Sequence, residues 1–313
     1  MSLASDLLLA GELVALPTET VYGLAADATN PQAIKKIYQA KGRPSDNPLI
    51  VHIPHYSMVE QFALIPNHLD ISHFASTFWP GPLTILLPKK NHSLDSACAG
   101  LQKVALRVPD SQFFCQVMLH SGLALAAPSA NLSGSMSPTS ANHVLSDMDG
   151  KIPLIVNGGE CRVGLESTVI DVSSQTARIL RPGGIGLDKL KEYFGDIVCA
   201  FEVSKNHAPE SPGQKYRHYA PSLPLKICSS EHMVLSPDTV YLLTAEAQEQ
   251  LQFPKDQVIL MGTLNNLSSV ASSLFASLRL ADSMKFKQIV CESLPTEGIG
   301  LAIMNRLSRA SKG

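Results

Sequence analysis

Pro17-Thr18-Glu19-Thr20-Val21-Tyr22-Gly23-Leu24 and, further on, Lys41-Gly42-Arg43-Pro44-Ser45-Asp46-Asn47-Pro48 with Leu49-Ile50-Val51-His52-Ile53 decide how this chain is read. The apolar segment 13–16 reads as a strand running into a hydroxyl-rich turn. A short helical stretch from Pro31 stops at the Lys-x-Arg-Pro turn, and a second apolar strand follows at 49–53. Two cations, several hydroxyls and an amide thus gather at the ends of buried strands, where α/β sheets place ligand-binding groups. The plainer reading is that Pro17, Gly23, Pro44 and Pro48 only punctuate core elements.

Working outward, residues 1–12 read as a short amphipathic helix, and a helical stretch is expected to run from the second strand to Phe78. Trp79-Pro80-Gly81-Pro82 breaks it, and strands follow at 83–87 and 104–109, the latter with Arg107 embedded. After a helix at 111–120 and a small-residue strand at 124–127 comes an uncharged loop, 128–139, rich in serine and asparagine. Strands at 152–156, 167–172 and 177–180 and a helix at 187–194 complete a first domain, 1–203. Residues 204–222 carry prolines, aromatics and cations, and read as a linker. The tail 223–313 has strands near 225–228, 239–243, 257–261 and 288–291, helices at 264–284 and 298–309, and no visible catalytic constellation. Alternating strands and helices predict an α/β fold.

Composition narrows the function. At 45% hydrophobic and 17% charged, the 313 residues suffice for packed cores, and two domains are expected. A net charge of −2 gives no global basic field of the kind that advertises nucleic-acid binding, so an anionic ligand needs a local cluster. The six cysteines are widely spaced with no Cys-x-x-Cys pair, which argues against a zinc ribbon or a disulfide framework and fits reduced thiols. No apolar run approaches a membrane span and no secretory signal is visible; a cytoplasmic location is expected.

Lys41, Arg43, Lys103, Arg107 and Arg181 all sit beside predicted strands. A structural ion pair explains any one of them, since a buried Arg107 needs a partner. Five together suggest a pocket for phosphates and a carboxylate. The 128–139 loop, between a strand and a helix, reads either as turn chemistry or as a phosphate cradle. There is no Gly-x-x-x-x-Gly-Lys-Ser/Thr, Gly-x-Gly-x-x-Gly or Gly-x-Ser-x-Gly run, so P-loop, dinucleotide and serine-hydrolase fingerprints are excluded.

Four blocks, Pro17–Leu24, Lys41–Pro44 with Asn47–His52, Pro128-Ser129-Ala130-Asn131-Leu132-Ser133-Gly134 and Ser167-Thr168-Val169-Ile170-Asp171, resemble the YrdC-like domain. With Ser211-Pro212-Gly213-Gln214-Lys215-Tyr216-Arg217-His218-Tyr219-Ala220-Pro221 and the small tail, the chain is similar to the two-domain threonylcarbamoyl-AMP synthase family. The resemblance implies an open, twisted sheet with a positive cavity and a second, smaller Rossmann-like α/β domain. It implies a nucleotidyltransferase that makes threonylcarbamoyl-AMP and pyrophosphate from L-threonine, bicarbonate or CO2, and ATP. The product serves threonylcarbamoyladenosine formation in tRNAs that read codons beginning with A. By motif, Thr20, His52, Arg107, Ser129 and Ser167 would hold threonine. Arg43, Asn47, Lys103, Asn131, Thr139, Arg181 and Tyr219 would hold ATP, while Lys41 and Arg43 would carry the catalytic positive charge. Mg2+ would come with ATP rather than in a protein cage, and the linker would act as a lid. Downstream tRNA threonylcarbamoyl-transfer enzymes and a weak tRNA contact are the implied partners. Two rivals are an RNA-binding YrdC-like module without adenylate-forming activity and a carbamoyl-transfer enzyme of hydrogenase maturation. The latter are much longer and carry zinc-finger domains missing here.

Overall fold

The computed structural model describes residues 1–201 and 219–312. Ten strands form one mixed sheet: β1 (Val14–Leu16), β2 (Gly23–Asp27), β3 (Ile50–His52), β4 (Leu83–Pro88), β5 (Lys103–Arg107), β6 (Leu125–Ala126), β7 (Leu154–Ile155), β8 (Thr168–Asp171), β9 (Ala177–Arg181) and β10 (Ile197–Cys199). Their spatial order is β10-β9-β8-β4-β5-β3-β6-β2-β1-β7. A second sheet holds β11 (Leu225–Cys228), β12 (Thr239–Thr244), β13 (Val258–Gly262) and β14 (Gln288–Glu292), ordered β11-β14-β12-β13 and parallel throughout. The open α/β sheet and the smaller α/β unit expected from the sequence are both present.

The main core fills one face of the large sheet, where Ile34, Ile37, Phe74, Phe78 and Val144 from three helices meet Leu24, Val51, Ile85 and Leu106. On the other face the helices Ser2–Leu9 and Gln112–Ser121 cover only the β1, β2 and β6 side, through Leu8, Phe114 and Val117. Over the central strands that second face carries a small apolar cluster, Ile50, Leu86, Ala105, Val169 and Leu180. Because side chains alternate along a strand, Ile50 with His52, and Ala105 with Arg107, project from the same face. The functional groups lie there.

The helix expected to continue unbroken to Phe78 does not. A short helix, Val59–Phe62, is followed by extended chain and a new helix, Ile71–Phe78, whose first amides are capped by the Asp70 carboxylate at 3.0 Å. Pro66 lies between them; it has no N–H to donate and disfavours helical backbone in the residue before it. Gly23–Asp27, which the sequence reading did not assign to a strand, is a strand buried over most of its length, and Ile197–Cys199 adds an edge strand that the sequence reading omitted. Of the expected linker, residues 204–218 lie outside the described residues.

The two units share a core. Val21, Met136 and Leu165 pack with Leu274, Phe275 and Ile303. Arg279 adds an ion pair to Asp147 at 2.7 Å and a bond to the Met136 carbonyl. Gly164 has φ +74°, and a Cβ there would lie 2.4 Å from Ser272 Cα and 2.6 Å from the Ala271 carbonyl. Gly164→Ala therefore combines a left-handed backbone penalty with overpacking against a helix. It is expected to cost about 2–4 kcal/mol, read as a lower urea midpoint at unchanged slope.

Candidate active site

The opening turn is built by its own hydroxyls. Thr18 Oγ1 donates to the Val21 carbonyl at 2.6 Å and accepts from the Thr20 amide at 3.1 Å. The Thr20 hydroxyl lies 2.8 Å from Thr18 Oγ1, and Arg107 Nη1 donates to Thr20 Oγ1 at 3.0 Å. With the Thr18 proton spent on Val21, the Thr20 proton points to Thr18, leaving Thr20 lone pairs for the arginine. Arg107 also donates Nε to the Gly81 carbonyl at 3.1 Å, and its Nη2 lies 2.5 Å from the Glu19 carboxylate. Both residues are buried, and the contact is ionic rather than a well-aligned hydrogen bond. Glu19 is thus the partner that a buried Arg107 requires, and the sequence reading did not assign it.

His52 pairs in register with Arg107 across β3 and β5. Burial first, then the neighbouring guanidinium, push its pKa down from 6.5 to about 3, so the imidazole is neutral at physiological pH. Its Nδ1 has no hydrogen-bond partner among the described residues.

Two of the sequence blocks zip together. The Tyr22 amide donates to the Pro138 carbonyl, the Leu24 amide to Pro128 and the Ala130 amide to Tyr22. Lys41 ties the loop from beneath. Its ammonium donates to the Ser129 and Asn131 carbonyls and, at 3.4 Å, to Asn131 Oδ1. The Asn131 amide in turn donates to the Leu132 and Ser135 carbonyls, both at 2.8 Å. Lys41 was expected to face phosphate. It lies instead behind the pocket wall, buried, with its protons directed at the loop; desolvation first, then Arg43, lower its pKa well below the usual lysine value. The cradle expectation is revised as well, because the Ala130, Ser133 and Ser135 amides already bond to protein carbonyls.

Across the pocket, Ser167 Oγ lies 2.7 Å from Thr84 Oγ1, and Arg181 holds the Ser167 carbonyl through Nε (3.1 Å) and Nη2 (2.9 Å). Burial lowers the Arg181 pKa to about 10, so it remains charged at neutral pH. Gly183 permits this turn, since a Cβ there would lie 2.4 Å from the Glu166 carbonyl oxygen.

One pocket unites Thr20, His52, Arg107, Ser129 and Ser167 with Arg43, Asn131, Arg181 and Tyr219. Asn47, Lys103 and Thr139 stand outside its lining. Asn47 is buried beside the Arg43 arm and accepts from Tyr38 Oη through its carbonyl at 3.1 Å. Lys103 starts the strand that Arg107 ends, about 13 Å along the same face by strand geometry, and pairs with the buried Asp171 at 2.7 Å. Thr139 bonds His143, and Ser135 and Ser137 of the same loop reach the pocket instead.

The sequence reading missed two further groups. Glu166 lines the pocket, accepts from Ser137 Oγ at 2.5 Å and pairs with Arg306 Nε at 2.8 Å. Burial alone would raise its pKa, but Arg306, Arg181 and the Ser137 hydroxyl outweigh that and lower it. Arg306 comes from the helix Gly300–Ala310 of the C-terminal unit, in which the sequence showed no catalytic constellation. Its signal was present: with Ala302, Ile303, Leu307 and Ala310 it occupies the buried stripe of that helix.

His52 makes the site sensitive to acid. Its pKa is lower folded than unfolded, so between 6.5 and about 3 the unfolded chain binds the extra proton. Its contribution to stability is intact above pH 6.5 and is lost as pH falls. Replacing it by glutamine is expected to flatten the wild-type acid slope, by up to about 4–5 kcal/mol across that window. Urea unfolding of both chains at pH 7 and pH 4 measures it; equal slopes would show that His52 titrates normally.

Known proteins resemble this chain along its whole length. The Sua5/YciO/YrdC family model, described as telomere recombination, matches residues 6–183. The model described as the threonylcarbamoyl-AMP synthase C-terminal domain matches 185–312. The chain is 44% identical to the threonylcarbamoyl-AMP synthase of Bacillus subtilis, covering 99% of this chain and 92% of that protein. It is 39% identical to that of Pyrococcus abyssi, covering 99% and 93%. The crystal structure of P. abyssi Sua5 complexed with L-threonine superposes with a TM-score of 0.87 at 38% identity, over 99% of this chain and 93% of that one. This chain belongs to the threonylcarbamoyl-AMP synthase family, in its two-domain form.

Proposed function

We infer that this protein is an L-threonylcarbamoyladenylate synthase, a nucleotidyltransferase acting on L-threonine, bicarbonate or CO2, and ATP. The observation that carries the reading is the single pocket in which all five residues assigned to threonine meet four assigned to the nucleotide. Arg107, held by Glu19, Thr20 and the Gly81 carbonyl, presents a pre-oriented guanidinium to the threonine carboxylate. His52 is neutral, so it offers a ring nitrogen to the substrate without adding charge. Ser129 and Ser167 supply hydroxyls on either side. Arg43, Asn131, Arg181 and Tyr219 form the nucleotide part, with Arg43 and Arg181 facing phosphate charge.

The unprotonated threonine amine attacks CO2 with loss of a proton, or bicarbonate with loss of water, giving a carbamate. A carbamate oxygen then attacks the α-phosphorus, and pyrophosphate leaves with the electrons of the P–O bond. Holding both substrates against one another supplies much of the rate, and fixed cations stabilise charge on the transferring phosphoryl group. Mg2+ is expected on the phosphates with water completing its shell, because Glu166 is committed to Ser137 and Arg306. A carbamate is labile in water, which favours a closed site during the reaction. We propose a cytoplasmic enzyme that passes its product to downstream tRNA threonylcarbamoyl-transfer enzymes; no described helix is long and apolar enough to cross a membrane. The RNA-binding reading is disfavoured by the net charge of −2 and by full-length similarity to synthases.

The test is pyrophosphate release from ATP. It should require both L-threonine and bicarbonate, and release indifferent to threonine would overturn the reading. Arg107→Ala is expected to raise the threonine KM on the order of a hundredfold while moving the ATP KM by less than about threefold; Arg181→Ala reverses that pattern.

A further inference from the structure

We infer that Arg306 of the C-terminal unit is a positioning residue of the nucleotide site, acting by neutralising the Glu166 carboxylate inside the pocket. The inference rests on the functional reading above. A carboxylate on the wall of a pocket that must receive a triphosphate is a liability, because like charges repel strongly where water is excluded. Glu166 is such a group: it lines the pocket with Arg181, Ser137 and Tyr219 and is 7% exposed.

Arg306 meets it from behind. The residue is 1% exposed and points Nε at Glu166 Oε2 over 2.8 Å, while Ser137 Oγ occupies Oε1. Nη1 is fixed by Asn305 Oδ1 at 3.0 Å, and the guanidinium carbon stands 5.4 Å from the centre of the Tyr219 ring. Arg306 is not part of the pocket lining, so it acts through Glu166 and Tyr219 rather than on substrate. Among the described residues, Arg181 is a second cation in the field of Glu166. Without Arg306, Glu166 would compete with phosphate for Arg181 as well as repel the nucleotide directly. The C-terminal unit thereby contributes to ATP affinity with no substrate contact of its own.

A double-mutant experiment on the full chain separates this from simple packing. Arg306→Met is expected to raise the ATP KM about tenfold or more and to leave the threonine KM within about threefold. Adding Glu166→Gln removes the orphaned charge and is expected to bring the ATP KM back to within about threefold of wild type. If Glu166→Gln/Arg306→Met retains the full deficit, Arg306 serves packing or substrate directly and the inference is overturned. If Arg306→Met alone does not fold, judged by its thermal midpoint, the double variant carries the test by itself against the same threefold margin. Wild-type chain that releases no pyrophosphate in response to threonine overturns the functional reading, and this inference with it.

Discussion

Four cations, Lys41, Arg107, Arg181 and Arg306, are buried around one pocket, opposed among the described residues by the carboxylates Glu19 and Glu166. An ion removed from water costs several kcal/mol unless charge or hydrogen bonds meet it, so each of these groups dictates its surroundings. Arg107 draws in Glu19, Thr20 and the Gly81 carbonyl. Lys41 gathers the carbonyls of the 128–139 loop, Arg181 the Ser167 backbone, and Arg306 the Glu166 carboxylate. The remaining excess is positive. A chain with net charge −2 thus encloses a pocket suited to anions, by local arrangement rather than overall charge.

The same bonds explain why distant stretches act as one wall. The Pro17–Leu24 turn and the Pro128–Gly134 loop exchange backbone hydrogen bonds, and Lys41 fastens the loop to the end of the Pro31–Lys41 helix. Much of the hydrogen-bonding capacity that looked available for ligand is used to hold the walls. What faces the cavity includes guanidinium, hydroxyl and imidazole groups aimed by that framework. Such pre-organisation suits a reaction whose acceleration comes from placing two substrates and stabilising phosphate charge.

The C-terminal unit is joined to this framework by a shared apolar core through Val21, Met136 and Leu165, and by Arg279 and Arg306. Its sheet is separate, yet its last helix reaches the rear of the pocket. The division suggested by sequence, with chemistry in the first domain and an accessory tail, is therefore incomplete at the site itself.

Residue pattern alone determined the α/β class, the smaller second α/β unit, most strands, and a cluster of cations that includes Arg43, Arg107 and Arg181; the family resemblance of the motif blocks added Thr20, His52, Ser129, Asn131, Ser167 and Tyr219. Those features are local: apolar runs, turn residues and motif blocks carry them wherever the chain goes. Only the tertiary structure decided the direction of each charge. Lys41 and Arg107 both read as cations near strand ends, but one turns into a loop of carbonyls and the other into the pocket. Lys103 shares a strand with Arg107 and lies at its other end, on Asp171. Glu166 and Arg306 stand 140 positions apart, a pairing no local pattern encodes. Burial makes such a pair obligatory, and only the packed chain shows which two charges meet.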